Sequence, residues 1–440
     1  MQKGDPRLIR AWTMYDWANS AYSLTITSAI FPIYYAAITM VDGRDQVLET
    51  YELPATSLQS YTLSAGFLLV AAIAPLLSGI ADHRGNKKNY LKFFCYLGAA
   101  SCAGLFFFTY ANLWIGLALF MLACVGFSGS LIFYDAFLPE IAEPEDHDRV
   151  SARGYAMGYI GSVVLLVFNL LMVMNPQWFG IPDRDGLPAR LSFLSVGIWW
   201  AGWAQVTFRR LPNGKVPEGK RRNTLTAGYR ELRRVWYEMV GIKRVRRFLM
   251  AFFVFNMGVQ TVMYLAVTYA KQEIKEPDGS PIADSGLIAS ILLIQLLAAA
   301  GAMLFVRLSR RFGNLAALII GLVIWTAICL AAWMIETTTS FYLLAAFVGL
   351  VMGGTQALSR STYTKLLPET ADHASYLSFY DVGFYLATVL GTLAFGLVNQ
   401  LTGDLRNTVI AIGSFFVLGA LLLLRVPREK RIAPVTDGTR

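Results

Sequence analysis

Charge is scarce in this sequence, and so are the side chains that build metal and redox sites. Of the 440 residues, 15% are charged, whereas soluble domains carry about 25%. The 4 cysteines all lie in apolar stretches and form no C-x-x-C pair, so neither a disulfide scaffold nor a zinc site is expected. The 3 histidines lie between the apolar stretches, which excludes a histidine relay inside a membrane.

Apolar residues make up most of the chain. The hydrophobic fraction is 55% and the mean hydropathy is +0.48, which indicates an integral membrane protein. A spanning helix needs about 20 apolar residues, and twelve segments qualify. They are roughly residues 12–40, 57–81, 89–110, 113–137, 151–175, 190–208, 248–270, 284–306, 315–335, 341–366, 375–400 and 406–425. The first segment is too long for the core of a signal peptide, so we expect it to remain as a membrane helix.

The positive charge is concentrated between the sixth and seventh apolar segments. The net charge is +9, and residues 209–247 alone contain thirteen Lys or Arg against three Glu. Basic runs beside membrane helices mark cytoplasmic loops. With the N-terminus inside, the inner segments hold 30 Lys or Arg and the outer loops hold 6. We therefore expect both termini to be cytoplasmic in a plasma (inner) membrane, and we expect no nucleic-acid partner.

The basic linker has a pattern of its own. Its apolar residues recur at helical spacing, at Leu225, Tyr229, Leu232, Trp236 and Met239. This spacing predicts an amphipathic helix lying on the anionic inner leaflet, with a solvated charged loop as the alternative. Upstream, residues 214–220 fit G-x-x-x-x-G-K, but Arg221 follows where a phosphate-binding loop has Ser or Thr. No nucleotide is therefore expected to bind this stretch.

Two short sequences recur at nearly the same distance along the chain. Residues 80–86 (IADHRGN) resemble residues 308–314 (LSRRFGN), 228 residues later, and the Leu-Pro-Glu at 138–140 recurs 229 residues later. These matches predict duplication of a six-helix unit. The expected fold is an all-α membrane protein with twelve transmembrane helices in two repeated bundles. Its predicted parts are an N-terminal bundle (1–208), the basic linker (209–247), a C-terminal bundle (248–425) and a cytoplasmic tail (426–440).

The turn after the second apolar segment contains a small residue, an aspartate, a glycine and a lysine pair. These are Ser78, Asp82, Gly85, Lys87 and Lys88. The turn resembles the signature loop of the major facilitator superfamily, which implies that Asp82, Gly85 and Lys87 have the roles of that loop. Ser78 stands where the superfamily usually has Gly, and His83 and Asn86 stand where it usually has Arg.

Four further stretches carry a narrower resemblance. They are YDWANSAYS (15–23), LPEIA (138–142), SARGYAMGYIG (151–161) and GGTQALSRS (353–361). Together they look like the family of the fungal vacuolar amino-acid effluxer and its bacterial relatives, the "unknown major facilitator" group. The resemblance implies the superfamily's fold and secondary transport, and it raises amino-acid efflux as the activity.

Polar residues mark a candidate substrate site near the membrane midplane. In the superfamily the first, fourth, seventh and tenth helices line the central cavity. A rise of about 1.5 Å per residue puts the amides of the seventh and tenth helices close to the midplane, with two polar residues of the first helix nearby. The predicted substrate-binding residues are Asn19, Ser23, Asn256, Gln260 and Gln356. The alternative is that these side chains hold neighbouring helices together.

Four ionisable residues lie toward the cytoplasmic ends of the first, fourth, tenth and eleventh segments. They are Asp16, Asp135, Arg360 and Asp381. An unpaired charge in a membrane is costly, so we expect Arg360 to close an inner gate by pairing with Asp135 or Asp16 across the repeat. The alternative is a pair with Asp381 in its own half. For proton coupling, Asp16 is the first candidate and Asp381 the second.

The sequence therefore favours a secondary transporter that moves a small polar solute, with amino acids as candidates, by alternating access. It is expected to be a monomer without cofactor or metal. No nucleophile–base pair or cluster of metal ligands indicates an enzyme. A lipid or lysolipid translocator and a receptor or scaffold with the same fold are the alternatives.

Overall fold

The computed structural model describes residues 3–41, 44–182, 184–213, 224–276, 278–368, 370, 372–402 and 405–427, and nearly all of them are helical. The α-helices are α1 (Pro6–Ala21), α2 (Phe31–Thr39), α3 (Gln46–Tyr51), α4 (Ala55–Arg84), α5 (Lys87–Gly104), α6 (Leu113–Asp135), α7 (Leu138–Ile141), α8 (His147–Met174), α9 (Leu187–Arg210), α10 (Thr224–Gly241), α11 (Lys243–Glu273), α12 (Asp284–Phe312), α13 (Asn314–Met334), α14 (Thr338–Leu366), α15 (His373–Thr402) and α16 (Leu405–Leu424). Apart from α10 in the linker, each helix of 16 or more residues overlaps one predicted apolar segment.

Short elements of other kinds connect these helices. A π-helix (Tyr22–Ile30) joins α1 to α2, so the first predicted segment is one long helix with a widened middle. Two strands, β1 (Met40–Val41) and β2 (Arg44–Asp45), form an antiparallel ribbon. The 3₁₀ turns are Leu105–Phe107, Tyr110–Asn112, Pro144–Asp146 and Pro176–Phe179.

Ten helical stretches of the described chain are long and apolar enough to cross a membrane. They coincide with ten of the twelve segments predicted from the sequence. The helices α9 and α11 occupy the positions of the sixth and seventh segments, but they are not among those ten. The structure thus agrees with an all-helical membrane protein, while the count of twelve spanning helices stays a prediction.

The same packing occurs on both sides of the basic linker. Before the linker, α1 packs against α8 and α9, and α5 packs against α6 and α9. After it, α11 packs against α15 and α16, and α13 packs against α14 and α16. Between the two parts, α4 contacts α15 and α8 contacts α12. This is the arrangement that a duplicated six-helix unit produces, because the α4–α15 contact and the α8–α12 contact are equivalent under the repeat.

The first and last residues that the structure describes and the linker helix α10 lie at one end of the bundle. There the Gly4 amide donates to the Ile141 carbonyl at 2.8 Å, and Lys88 Nζ donates to the Leu211 carbonyl at 2.7 Å. We call this end the basic end, because the linker and the lysine-rich start of α5 belong to it. The other end, which includes the start of α4 and the end of α11, is called the opposite end.

Glycine sets the two turns of the repeated loop. Gly85 ends α4 with a φ of 62°, and Gly313 follows α12 with a φ of 85°. Residues with a Cβ adopt such angles rarely, so the glycines allow each chain to turn directly into the next helix. Glycine also allows α14 to touch α12, since a Cβ on Gly353 would lie 2.0 Å from the Ala298 carbonyl oxygen.

The linker contains α10, in the region where an amphipathic helix is predicted. Of its apolar residues, Met239 is buried against the protein, whereas Tyr229 and Trp236 are exposed. The apolar face is therefore divided between the bundle and the surface. The G-x-x-x-x-G-K stretch at 214–220, Glu369 of the second Leu-Pro-Glu and the chain from 428 onward lie outside the described residues.

Contacts of charged side chains hold α10 at the basic end. Arg234 forms an ion pair with Asp372, directly before α15. The hydroxyl of Tyr376 on α15 donates to Glu238 Oε2 at 2.7 Å. The linker helix is thus fastened to the start of α15 as well as packed beside α4.

Candidate functional site

Arg360 on α14 is buried inside the bundle, with 1% of its surface exposed. Its Nη1 donates to Asp135 Oδ1 at 2.9 Å, and its Nη2 lies 3.6 Å from Asp16 Oδ2. Nε and Nη2 donate to the hydroxyl and the carbonyl oxygen of Ser151, each at 3.0 Å. A buried cation is tolerated when carboxylates and hydrogen bonds replace its water, and these contacts do so.

The partners of Arg360 all come from the other bundle. Asp16 lies on α1, Asp135 at the end of α6 and Ser151 on α8, whereas Arg360 belongs to α14. Of the two pairings considered from the sequence, the structure contains the one across the repeat. No ion pair joins Arg360 to Asp381 among the described residues. The basic end is therefore closed by a buried cluster, named here the Arg360 cluster, of Arg360, Asp16, Asp135 and Ser151.

Aromatic rings surround the guanidinium. Its Cζ lies 5.0 Å from the ring centroid of Trp12, 5.7 Å from that of Tyr134 and 4.3 Å from that of Tyr155. The Tyr134 hydroxyl also donates to Asp16 Oδ2 at 2.7 Å. Ring faces attract cations, so the rings stabilise the charge while excluding water from the cluster.

Small residues on α8 leave room for the cluster. A Cβ on Gly154 would lie 2.3 Å from Asp16 Oδ2 and 3.0 Å from Arg360 Nη2. One turn further along, a Cβ on Gly158 would lie 2.5 Å from Ser20 Oγ. Glycine at these positions lets α8 pack closely against α1, and at Gly154 it leaves the volume that the ion pair fills.

Asp381, the fourth ionisable residue predicted, lies on α15 and is buried, with 5% of its surface exposed. Its Oδ2 has no hydrogen-bond partner within the described chain. The charged groups that act on it electrostatically are Asp135 and Arg360. Asp381 is therefore next to the Arg360 cluster without being bonded to it.

The amides predicted to bind substrate form a layer beside the cluster, toward the opposite end. Gln356 lies one helical turn from Arg360, and its Oε1 accepts the Tyr159 hydroxyl at 2.6 Å. On α11, Gln260 Nε2 donates to Asn256 Oδ1 at 3.1 Å. The bond from Tyr159 to Gln356 crosses between the bundles, whereas the bond between the two α11 amides stays within one helix.

The first helical segment holds the remaining two predicted substrate residues, and their hydrogen bonds stay within that segment. Asn19 Oδ1 accepts from Ser20 Oγ at 3.3 Å, and Asn19 Nδ2 is buried without a partner among the described residues. Ser23 Oγ donates to the Ser20 carbonyl at 3.0 Å. Ser23 also lies in the π-helix, and such wide turns are frequent at functional sites.

A cavity of about 540 Å³ lies between the two bundles, beyond the polar layer. Its polar lining residues are Thr27, Ser28, Gln59, Ser60, Tyr61, Ser64, Gln295, Thr388 and Thr392. It reaches the first turns of α4 at the opposite end, where Tyr61 is exposed. None of the five predicted substrate residues lines it in the described chain, but Gln356 Nε2 contacts the lining residue Met263 at 3.1 Å from Sδ.

Two hydrogen-bonded contacts join the bundles at the basic end, between elements that the repeat makes equivalent. Asp82 at the end of α4 accepts from both the amide and the hydroxyl of Ser375 at 2.7 Å, near the start of α15. Asp148 at the start of α8 accepts from Ser309 Oγ at 3.0 Å and from Asn314 Nδ2 at 2.7 Å. The two contacts join equivalent elements of the repeat. The carboxylate of the first, Asp82, belongs to the loop, whereas the carboxylate of the second, Asp148, belongs to the start of a helix.

Lysines reinforce these contacts. Lys87, in the predicted signature loop, forms an ion pair with Glu140, which follows α6 in the same bundle. Lys365 Nζ lies 2.7 Å from Asp148 Oδ2 and so adds a charge pair between the bundles. With Gly85 at the turn, the three signature-loop residues therefore shape and fasten the basic end.

Sequence reasoning found the ionisable residues and missed their uncharged partners. Ser151, Trp12 and Tyr134 contact the charges, yet each is a common residue in a membrane helix. Their position beside recognised residues was the available signal, because Tyr134 precedes Asp135 and Ser151 begins the SARGYAMGYIG stretch. The cavity residues Gln59 and Thr388 carried no such signal.

Comparison with known families identifies relatives along the whole chain. The family described as "Vacuole effluxer Atg22 like" matches residues 4–434. The chain is 30% identical over 430 residues to the MFS-type transporter YxiO of Bacillus subtilis (strain 168), with 98% of this chain and 97% of the relative covered. It is 22% identical over 468 residues to autophagy-related protein 22-1 of Aspergillus terreus (strain NIH 2624 / FGSC A1156), covering 86% and 74% respectively.

Solved structures share the fold. The transporter FucP of the major facilitator superfamily (MFS), in its outward conformation, superposes with a TM-score of 0.71 at 13% identity, covering 97% of this chain and 99% of FucP. The human organic anion transporter MFSD10 gives 0.68 at 14% identity, covering 96% and 100%. The chain is thus an MFS-type transporter rather than an enzyme, and it belongs to the family of Atg22-like vacuole effluxers.

Proposed function

We propose that this protein is a secondary active transporter of a small polar solute, with amino acids as the first candidates and efflux as the direction. Membership of the Atg22-like family supports transport, and the family's description as vacuole effluxers supports efflux. In this proposal the monomer crosses a plasma (inner) membrane twelve times, with α9 and α11 among the spanning helices and both termini cytoplasmic.

The main support for this proposal is that the protein is open at one end and closed at the other. A cavity of about 540 Å³ reaches the opposite end, whereas the Arg360 cluster closes the basic end with an ion pair at 2.9 Å. Alternating access needs a site between two repeated bundles and contacts that can break on either side of it. With the basic end inside the cell, the conformation is the outward-facing one.

The gate and coupling residues in this proposal are the buried charges. These are Asp16, Asp135, Arg360 and Asp381. Opening the basic end would separate Arg360 from Asp135 and Asp16, and breaking a buried pair without replacement costs about 3–5 kcal/mol. Water entering the opened end can replace the lost contacts, which makes the gate reversible.

The polar layer is the proposed substrate site. Its residues are Asn19, Ser23, Asn256, Gln260 and Gln356. Along the first helical segment the layer lies between Asp16 of the gate and Thr27 of the cavity, and along α14 it lies between Arg360 and Met352. We therefore expect a solute moving from the cavity to the gate to meet it. Amides and hydroxyls provide both donors and acceptors without net charge, which suits a zwitterion or an uncharged polar molecule.

The basic end carries two further proposed roles. Asp82, Gly85 and Lys87 act as the signature loop that stabilises the closed basic end. The linker helix α10 exposes Tyr229 and Trp236 beside its arginines, which suits contact with the anionic lipids of the inner leaflet.

Counterflow in proteoliposomes tests the function. Vesicles loaded with one unlabelled amino acid should accumulate the same labelled amino acid from outside, for at least one member of an amino-acid panel. A pH gradient across the vesicle should change the net flux, because a secondary transporter draws its energy from an ion gradient. Protein-free vesicles are the control, and absence of accumulation for every soluble solute would refute the proposal.

A lysolipid translocator is the second candidate, because most of the cavity lining is apolar. Leu24, Val262 and Met352 represent that lining. A lysolipid scrambling or extraction assay on the same vesicles separates the candidates. Lipid-dependent activity without flux of a soluble solute would favour the translocator, and no activity of either kind would favour a receptor.

A further inference from the structure

The Arg360 cluster and its neighbour contain more carboxyl groups than cationic groups. Asp16, Asp135 and Asp381 are all buried around one guanidinium. If all three were ionised, two negative charges would remain without a cation in a region from which water is excluded. An uncompensated buried charge is strongly unfavourable, so at least one of the three carboxyl groups must hold a proton while the basic end is closed.

The hydrogen bonds distinguish the three carboxyl groups. Asp135 accepts from Arg360 Nη1 at 2.9 Å. Asp16 accepts the Tyr134 hydroxyl at 2.7 Å and lies 3.6 Å from Arg360 Nη2. Donors to a carboxylate favour its ionised form. Both residues therefore have what an anion requires, although Asp16 was the first candidate for proton coupling from the sequence.

Asp381 has no such donors. Its Oδ2 is buried without a hydrogen-bond partner among the described residues, and a buried acceptor left without a donor is costly. The titratable or charged groups that face it from α6, α8, α14 and its own helix are Asp135, Tyr155, Arg360, Tyr363, Tyr380 and Tyr385. Arg360 is the single cation in that set, and its bonds go to other residues.

We propose that Asp381 is the proton carrier of this transporter: it is protonated while the basic end is closed and releases its proton when that end opens. This inference rests on the proposed function and assigns its coupling ion and residue. Separating the bundles would hydrate Asp381 and free Arg360 from Asp135, so both changes favour the carboxylate. In this proposal Asp381 takes its proton from the opposite end, through the cavity, while the basic end is closed and releases it at the basic end, so each cycle carries one proton inward.

The sign of the pH dependence follows. The closed form holds one proton more than the open form, so acidification shifts the protein toward the closed form. One proton corresponds to a change of up to about tenfold in the closed-to-open ratio per pH unit. The ratio should fall between the pH at which the open form loses this proton and the higher pH at which the closed form loses it, and it should be constant above the second pH.

The first experiment measures protons and solute separately. Proteoliposomes containing a pH-sensitive dye are given a gradient of the solute identified by counterflow. We expect the wild type to move protons in exchange for the solute, Asp381→Asn to retain counterflow without proton movement, and Asp381→Glu to retain both. In Asp16→Asn the number of protons moved per solute molecule should equal that of the wild type, even if the solute flux is lower.

The second experiment is independent of transport. Spin labels are placed at Glu143→Cys and Arg311→Cys, exposed positions on the two bundles at the basic end, with the four buried native cysteines replaced by alanine. The distance distribution is followed from pH 5 to pH 9. The wild type and Asp16→Asn should open as the pH rises, whereas Asp381→Asn should have a distribution that does not depend on pH.

The outcomes are separable. Wild-type counterflow without proton movement, a response to sodium in place of pH, or a wild-type pH response in Asp381→Asn would each overturn the assignment of Asp381 and leave the proposed function standing. Absence of counterflow for every solute would instead overturn the proposed function.

Discussion

A buried arginine in a membrane protein persists when the surrounding residues replace its water. Arg360 has carboxylates at two positions, the hydroxyl and carbonyl oxygens of Ser151, and three aromatic rings. Each contact crosses from one bundle to the other. Burying Arg360 alone would be unfavourable. Its desolvation is compensated only when the bundles meet, so its contacts stabilise the closed conformation.

Gly154 offers a test of this site without removing any charge. A Cβ at Gly154 would approach Asp16 Oδ2 to 2.3 Å, so Gly154→Ala has to displace the carboxylate or separate α1 from α8. We expect transport to fall about tenfold or more, since losing half of the about 3–5 kcal/mol of a buried pair exceeds the 1.4 kcal/mol of one decade. Initial rates of counterflow at equal amounts of reconstituted protein measure the effect.

Gly202→Ala is the matched control for that substitution. Gly202 lies on α9, and a Cβ there meets nothing within 4 Å. Its transport rate should equal that of the wild type within error. Equal rates for both alanine variants would mean that the close packing at Gly154 has no part in transport.

The sequence revealed which residues of the site are chemically unusual and left their partners undetermined. Asp16, Asp135, Arg360 and Asp381 were recognisable because charge is rare in apolar segments. Whether Arg360 meets Asp135 or Asp381 depends on how separate helices pack, and one helix's sequence does not contain that information. Ser151 was missed because a serine in a helix has several ordinary uses.

At the scale of elements, the basic end is closed by two related contacts. One joins the end of α4 to the start of α15, and the other joins the start of α8 to the turn between α12 and α13. The repeat predicts such a pair of contacts, because a loop that touches a helix in one half has a counterpart in the other. The repeat does not predict that the acidic residue lies on the loop in one contact (Asp82) and on the start of the helix in the other (Asp148).

Asp148→Asn should weaken the closed basic end. The substitution removes the negative charge that Lys365 contacts at 2.7 Å and weakens the bonds from Ser309 and Asn314. Hydrogen bonds to charged groups contribute about 1.5–3 kcal/mol, so the closed-to-open ratio should fall about tenfold or more. The spin-label distance between the two bundles at the basic end measures this ratio.

Asp146→Asn is the corresponding control, because Asp146 precedes the same helix and pairs at 3.0 Å with Arg149 close by in the chain. Its distance distribution should match the wild type. A shift in both variants alike would point to the start of α8 as a whole rather than to the contact between the bundles.

The π-helix was not predictable from the residue pattern. A regular helix with a period of 3.6 residues would place Asp16, Ser23 and Thr27 on one polar face. In the structure Ser28 Oγ donates to the Ser23 carbonyl, five residues earlier, at 3.0 Å. The wider turns rotate the later residues of the segment, so that Thr27 and Ser28 line the cavity while Ser23 stays in the layer beneath it.

At the scale of the whole molecule, most of the architecture could be derived from the sequence. Segment lengths, basic loops and the two offsets of 228 and 229 residues predict a duplicated membrane bundle, and the repeated packing and the relatives agree with it. The conformational state could not be derived, because one sequence must support both the inward-facing and the outward-facing forms. The cavity could not be located either, since it exists only in the packed arrangement of both bundles.

In the proposed mechanism, solute moves when a buried charge pair between the bundles opens and closes. Counterflow of the amino acid found in the panel, compared among the wild type, Asp135→Arg, Arg360→Asp and the double variant, tests it most directly. Each single variant buries like charges at the cluster, and breaking a buried pair costs about 3–5 kcal/mol, so its rate should fall about a hundredfold. The double variant restores opposite charges in the same place and should recover a substantial part of the wild-type rate. A double variant as inactive as the single ones, although folded and inserted normally, would contradict the claim.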